Sequence, residues 1–120
     1  MKLKCGDITI ANDVVIAETL FTKTTGLMFR REIPEMCAMV FVFDEETTIG
    51  IHMMFVFTSL DVIFLNRIGE IIHLATLNPW IGYAKKKDTQ FVIEMKKGSI
   101  RYFNLKLGDR LTLDKEDENK

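Results

Sequence analysis

The stretch LDVIFLNRIGEIIHLATL, residues 60–77, carries the clearest fold signal in the chain. Its two halves, residues 60–66 and 70–77, are dense in β-branched, aromatic and other strand-forming apolar residues. Residues 67–69 form a short loop between them, and Gly69 can take the positive φ that a hairpin bulge requires. The stretch therefore predicts a β-hairpin within a larger sheet.

Strand signals recur on both sides of this hairpin, as short apolar runs or as alternation with a period of two. The further predicted strands cover residues 2–5, 8–10, 14–20, 38–43, 47–57, 90–95 and 110–113. Gly50 interrupts the longest of these strands and predicts a bulge or a bend there.

Helical signals are fewer. Residues 22–29 fit a short helix capped by Thr22, and residues 99–103 fit one turn capped by Ser99. Many short strands without long strand–helix–strand spacing favour a barrel or a sandwich. We therefore predict a mainly β (β-rich α+β) fold, a small closed or nearly closed β-barrel of short strands with one or two short helices.

The composition is that of one packed, soluble domain. The 120 residues are 48% hydrophobic and 28% charged, with a net charge of −1. A near-neutral chain exerts no long-range attraction on nucleic acid or on an anionic membrane, so neither partner is expected. We predict a single domain over residues 1–113 and a charged flexible tail over residues 114–120.

The location predicted from the sequence is cytoplasmic. No apolar run follows the basic N-terminus to make a signal peptide, and no window approaches the ~20 apolar residues of a membrane helix. Cys5 and Cys37 lack metal-ligand spacing and are predicted to be reduced thiols. A lysine- and glutamate-rich composition with one glutamine, Gln90, is typical of a thermophile.

His52 and Asp61 are the first pair of candidate site residues. A histidine oriented by a carboxylate is the minimal pair for general base catalysis, although the sequence identifies no nucleophile within reach. The same residues also fit simpler roles, with Asp61 capping a turn and His52 half-buried in a strand. With His73 they match a two-histidine, one-carboxylate metal site in type but not in spacing, so no metal and no cofactor are predicted.

Arg30 and Trp80 are the other candidates. Arg30 follows the first predicted helix, where its guanidinium can clamp a carboxylate or phosphate, or simply complement the helix end. Trp80 is the only tryptophan and stands in a loop-like segment before the lysine run 85–87. An exposed tryptophan there would be a stacking or interface residue, whereas a buried one would fill the core.

Several segments together resemble the family catalogued as domain of unknown function 192. Residues 25–30, Thr-Gly-Leu-Met-Phe-Arg, are similar to its Gly-Leu-Met-Phe-Arg motif, and residues 51–66 look like the central motif of its archaeal members. Similar blocks lie at residues 38–43, 92–98 and 107–109, so the resemblance extends over residues 14–113 in the family's order.

The chain also departs from the family's pattern. Ser59 stands in place of a usual proline, Ala38 replaces a usual glycine, and the Trp-Met-Lys-Asn-Thr version of the central motif is absent. The resemblance implies a compact, β-barrel-like domain without an assigned activity. The family's recurring polar positions correspond to Arg30, His52 and Asp61.

We therefore expect an uncharacterised ligand- or partner-binding accessory module, with Arg30, His52, Asp61 and Trp80 as binding residues and no catalytic residue assigned. The alternative is a small hydrolase-type enzyme in which the His52–Asp61 pair activates water. A third possibility is a purely structural or protein-interaction role through the loop of residues 80–87. The sequence leaves open whether the protein is an enzyme, and whether the partner is a small ligand or another protein.

Overall fold

The computed structural model describes residues 1–17, 33–54 and 56–115, and most of them lie in strands. The strands are β1 (Lys2–Cys5), β2 (Ile8–Ala11), β3 (Asp13–Ala17), β4 (Cys37–His52), β5 (Leu60–Leu65), β6 (Ile71–Leu77), β7 (Tyr83–Lys96) and β8 (Leu111–Asp114), and one short helix, α1, spans Ser99–Tyr102. The predicted mainly β class is confirmed. The helix predicted over residues 22–29 lies outside the described residues. No helix within the described ranges is long and apolar enough to cross a membrane.

The described strands form a three-stranded sheet of order β2-β1-β8 and a five-stranded sheet of order β3-β4-β7-β5-β6. Only β3 and β4 pair in parallel among these neighbours. The hairpin predicted at residues 60–77 is confirmed, because β5 and β6 pair with Leu60 opposite Leu77. Gly69 has φ of 85° in its loop, as the predicted bulge requires.

The two sheets do not close into a barrel within the part of the chain that the structure describes, which corrects that detail of the prediction. The sequence interpretation assumed short strands, but β4 and β7 contain 16 and 14 residues. The sequence interpretation ended one strand at the acidic run 44–46 and placed the lysine run 85–87 in a loop, yet both runs continue as strand. A pair of long strands can bend over one face of a sheet, and the edge strands of that sheet then need not pair with each other to form a barrel.

We call the paired strands β4 and β7 the ribbon, and the ribbon bends back on itself. A straight strand of the length of β7 would span about 43 Å at roughly 3.3 Å per residue. However, both ends of β7 lie near Leu77. Lys96 pairs with Leu60, which also pairs with Leu77, and Tyr83 follows Leu77 by only six residues. The two ends are therefore closer together than a straight strand would allow. Two register shifts midway along the β4–β7 pair provide the bend, as β-bulges do.

The bend gives the five-stranded sheet an apolar core on each face. On the face that we call the ribbon side, Met39, Phe41, Val62, Phe64 and Val92 pack in one cluster with Met53, Val56 and Ala84 from the far end of the ribbon and the segment after it. On the opposite face, Ala38, Val40, Ile63, Leu65, Ile93 and Met95 pack against Leu3, Ile10, Leu105 and Leu111. Both faces of the central strands are therefore buried.

Replacement of Ile63 by Ala tests this two-sided packing. Ile63 is fully buried, so we expect Ile63→Ala to lower the free energy of unfolding by about 2–5 kcal/mol, from lost burial and the cavity left behind. Ile8 is 57% exposed, and Ile8→Ala should change the free energy of unfolding by about 0.5 kcal/mol or less. Urea unfolding of both variants measures the difference, and equal losses would contradict the assignment of the core.

Candidate functional site

Asp61 is a buried carboxylate that ties α1 to the five-stranded sheet. Its side chain is only 1% exposed, and its Oδ1 accepts a hydrogen bond from Thr76 Oγ1 at 2.7 Å. Its Oδ2 accepts hydrogen bonds from the N–H groups of Gly98 at 3.0 Å and Ile100 at 2.9 Å. The first N–H groups of a helix have no partner within the helix, so Asp61 caps α1 from a distant strand.

The sequence analysis interpreted Asp61 as a turn cap that accepts backbone N–H groups. Asp61 does accept such groups, but they belong to a different turn. The sequence analysis placed the cap in the corner just before β5, whereas the N–H groups belong to a turn 37 and 39 residues later in the chain. The sequence analysis assigned the cap to Ser99, and this was wrong, because Ser99 Oγ donates to the carbonyl of Lys96 instead. The cap position is Gly98, which has no side chain, so the acceptor comes from Asp61. The predicted role of Asp61 in binding remains a prediction.

His52 ends β4 and is exposed. Its Nδ1 accepts a hydrogen bond from the N–H of Met54 at 3.2 Å, and it lies opposite Tyr83 in the ribbon. Across the described residues, no hydrogen bond or ion pair joins His52 to Asp61. The structure therefore does not bring together the pair that the sequence suggested as a general base.

The second histidine, His73, is half-buried beside Phe64, with the ring centroids 5.4 Å apart. Within residues 1–17, 33–54 and 56–115, no group of three or more His, Cys, Asp or Glu side chains is placed to hold a metal ion. Arg30, the remaining polar candidate, lies outside the described residues.

Trp80, in contrast, lies close to His52 at the end of the ribbon. The N–H of Trp80 donates to the carbonyl of Met53 at 3.0 Å, and the N–H of Met53 donates to the carbonyl of Gly82 at 3.0 Å. These hydrogen bonds tie the loop between β6 and β7 to the residue that follows His52. The structure thus brings two of the four predicted binding residues to one surface.

The loop that carries Trp80 is tightly built. Trp80 has φ of 67°, in the left-handed region that non-glycine residues adopt at a cost of about 1–2 kcal/mol. Its ring packs edge to face on Phe57, with the centroids 5.5 Å apart. A Cβ at Gly82 would lie 2.7 Å from the carbonyl oxygen of Asn78, so only glycine fits there.

Four large apolar side chains are exposed at this end of the ribbon: Met54 (53%), Trp80 (47%), Ile81 (82%) and Tyr83 (60%). We call these four residues and His52 the tip patch. Because His52 pairs with Tyr83, and Met53 with the loop, the members of the patch are neighbours. Adjacent exposed side chains of this size mark interaction surfaces on many proteins.

One lysine next to the tip patch lies on the same side of the ribbon. Lys85 is exposed and follows Tyr83 by two residues in a regular part of the strand, so both side chains leave the same face. Opposite Lys85 stands Gly50, where a Cβ would lie 2.8 Å from the Tyr83 hydroxyl. Gly50 therefore makes room for the tyrosine ring, and the predicted bend lies just before it, between Val42 and Ile49.

Glu94 is a buried acid that the sequence analysis did not single out. It lies in β7 between Met39 and Val62, two apolar residues of the ribbon-side core. Burial raises the pKa of its carboxyl from 4.5 to about 7, because the charged form loses its hydration. Alternation in residues 90–95 pointed Glu94 away from the apolar side, but the bent ribbon buries that second side as well.

The fold and the site together define a mainly β domain with an exposed apolar tip. The chain matches the model of the family DUF192, described as Uncharacterized ACR, over residues 2–113, and it belongs to that family. The resemblance seen in the sequence is thereby confirmed, and the family is uncharacterised in function.

Relatives and a solved structure agree with this assignment. A UPF0127 protein of Thermococcus sibiricus is 36% identical over 107 residues, which cover 88% of this chain and 68% of that protein. A UPF0127 protein of Pyrococcus furiosus is 34% identical over 101 residues, covering 82% and 84%. Both relatives come from thermophilic archaea, in line with the composition.

A crystal structure of a protein of unknown function from Novosphingobium aromaticivorans has the same fold. It superposes with a TM-score of 0.77 at 24% sequence identity, over 83% of this chain and 74% of that one. At this identity the similarity establishes the architecture only.

Replacement of Asp61 tests its role as a remote helix cap. We expect Asp61→Ala to lower the free energy of unfolding by about 2–4 kcal/mol, because it leaves the Gly98 and Ile100 N–H groups without their acceptor. Asp109 accepts one N–H from Lys106 in an exposed turn, so Asp109→Ala should cost about 1 kcal/mol. Hydrogen exchange should show lost protection at Ile100 in the first variant only, and retained protection there would contradict the cap.

The raised pKa of Glu94, about 7 against an ordinary 4.5, makes stability depend on pH. The folded chain binds the proton more tightly than the unfolded chain, so the free energy of unfolding falls as the pH rises from about 5 to 8, by about 2–3 kcal/mol from this group. Glu94→Gln should remove that decline, whereas the exposed Glu45→Gln should keep it. Urea unfolding at pH 5 and pH 8 measures the slope, and identical slopes in all three proteins would refute the assignment.

Proposed function

We propose that this protein is a partner-binding module and that the tip patch is its recognition surface. The observation that carries the proposal is the adjacent exposure of Met54, Trp80, Ile81 and Tyr83. Tryptophan and tyrosine supply much of the energy of protein–protein interfaces, and methionine adapts its shape to a partner. Burying such side chains on binding removes apolar surface from water, which favours association.

The patch is presented by a backbone that is already ordered. Hydrogen bonds from Met53 and Trp80 fix the two segments that carry it, and Phe57 supports the tryptophan ring. A rigid surface loses little conformational entropy on binding, so more of the interaction energy appears as affinity. The left-handed φ of Trp80 is consistent with this role, since strained backbone is concentrated at functional sites.

Charge points to the kind of partner. Lys85 lies on the same side of the ribbon as Tyr83, and Lys87 is also exposed two residues further on. The described residues form no ion pair with either lysine. We infer that the partner is another protein whose contact surface has an apolar centre and an acidic rim, because such charges steer association and fix its orientation.

The alternative function is a hydrolase that activates water through His52 and Asp61. No geometry in the described part of the chain supports it, since Asp61 is engaged with Thr76 and α1 while His52 is at the surface. The cytoplasmic location remains a prediction of the sequence.

The experiment uses Trp80 as both probe and target. Because Trp80 is the only tryptophan, its fluorescence should shift to shorter wavelength when an acidic partner buries the patch. Candidates are captured from the extract of a related archaeon, purified, and titrated against the wild type, a Trp80→Ala/Tyr83→Ala variant and a Tyr102→Ala control. Tyr102 is 82% exposed and lies on α1, outside the patch.

We expect the double variant to weaken binding at least roughly thirtyfold, the loss typical of interface hot spots, with the control unchanged. An anisotropy titration with labelled partner gives the affinity of the variant that lacks tryptophan. Equal affinity of the double variant and the control would refute the proposal. So would sedimentation showing that the wild type dimerises through the patch and leaves it covered.

A further inference from the structure

A groove separate from the tip patch lies between the two sheets. Its volume is about 210 Å³, and it is lined by strands of both sheets and by the loop between β5 and β6. The apolar part of the lining includes Leu65, Ile68, Phe91 and Leu113, and the charged part consists of Arg67 and Arg110. The groove thus combines an apolar floor with a cationic rim.

The two guanidinium groups have no partner among the described residues. Arg67 makes one hydrogen bond, but through its backbone N–H, which donates to Glu46 Oε2 at 2.8 Å. Arg110 is linked to Glu70 through a backbone bridge only. Neither side chain forms an ion pair within the described ranges, so both forks of N–H donors are open to an external anion.

The backbone holds the two arginines at the same place. The N–H of Leu111 donates to the carbonyl of Gly69 at 2.9 Å, which joins the residue after Arg110 to the loop that contains Arg67. That loop is itself fixed, because Asn66 Oδ1 accepts hydrogen bonds from the N–H groups of Ile68 and Glu70. The cationic rim is therefore built on ordered backbone and not on a chain terminus.

We propose that this groove binds a small carboxylic acid with an unbranched apolar chain. Arg67 and Arg110 would hold the carboxylate through charge-assisted hydrogen bonds, while the chain would lie over Phe91 and Leu113. The groove is smaller than the sites of drug-sized ligands and holds roughly seven groups of the size of water. With the carboxylate held by the arginines, an apolar chain of about seven carbons fits that space, so octanoate is the probe.

The test titrates octanoate, octan-1-ol and octylammonium into the full chain, below their aggregation limits, and follows the amide NMR spectrum. We expect saturable shifts for octanoate at the groove residues, weaker binding of the alcohol and none of the amine. Arg67→Gln/Arg110→Gln should weaken octanoate binding roughly tenfold or more. Arg101→Gln, which removes an exposed arginine on α1, should leave it unchanged.

The proposal would be overturned by no saturation with octanoate, by equal binding of octanoate and octan-1-ol, or by equal affinity of the double variant and the wild type. Shifts confined to the tip patch would also overturn it. The ligand comparison needs no variant, so it decides the question even if the double variant fails to fold.

Discussion

The structure depends on the pairing of β7 with β4 along one edge and with β5 along the other. The second half of this strand pairs with both β4 and β5, whereas its first half pairs with β4 alone. Because it bends between these halves, the same strand forms the middle of the sheet and covers one of its faces. The ribbon-side core, the burial of Glu94 and the position of the tip patch all follow from that bend.

Two kinds of polar group result from burying both faces of the central strands. Asp61 is compensated, since three donors from Thr76, Gly98 and Ile100 surround its oxygens. Glu94 lies between apolar neighbours, and burial there raises its pKa because the charged form loses its hydration. Buried polar groups in proteins are normally satisfied by hydrogen bonds, and Asp61 follows that rule.

Local pattern was enough to predict the hairpin of β5 and β6, the turn at Gly69 and the short helix after Gly98. It failed where the structure depends on distant partners. The lysine run 85–87 looks like a loop, although Lys85 and Lys86 pair with Gly50 and Ile49 of β4, and the acidic run 44–46 lies at the register shift midway along the same pair of strands. The same error led to the predicted barrel. The sequence analysis divided β4 into two short strands and predicted only the second half of β7, so the long ribbon that folds over the sheet was not expected.

The candidate site was predicted in part. His52 and Trp80 were chosen separately by residue type, and only the hydrogen bonds around Met53 reveal that they share a surface. Ile81, Tyr83 and Met54 were not chosen individually as binding residues, because an exposed apolar residue and a buried one look alike in a sequence. Glu94 gave no signal, because it shares the more polar face of its strand with Gln90.

The partnership of β1 with β8 has a consequence for how the chain acquires its fold. Leu3 pairs with Leu113, so the middle strand of the three-stranded sheet gains its second neighbour only from the far end of the chain. During synthesis, the hairpin of β1 and β2 must therefore wait with one edge of β1 unsatisfied until residues 111–114 have left the ribosome. Contacts this distant in sequence slow folding, and until β8 arrives the free edge of β1 can pair with the wrong strand.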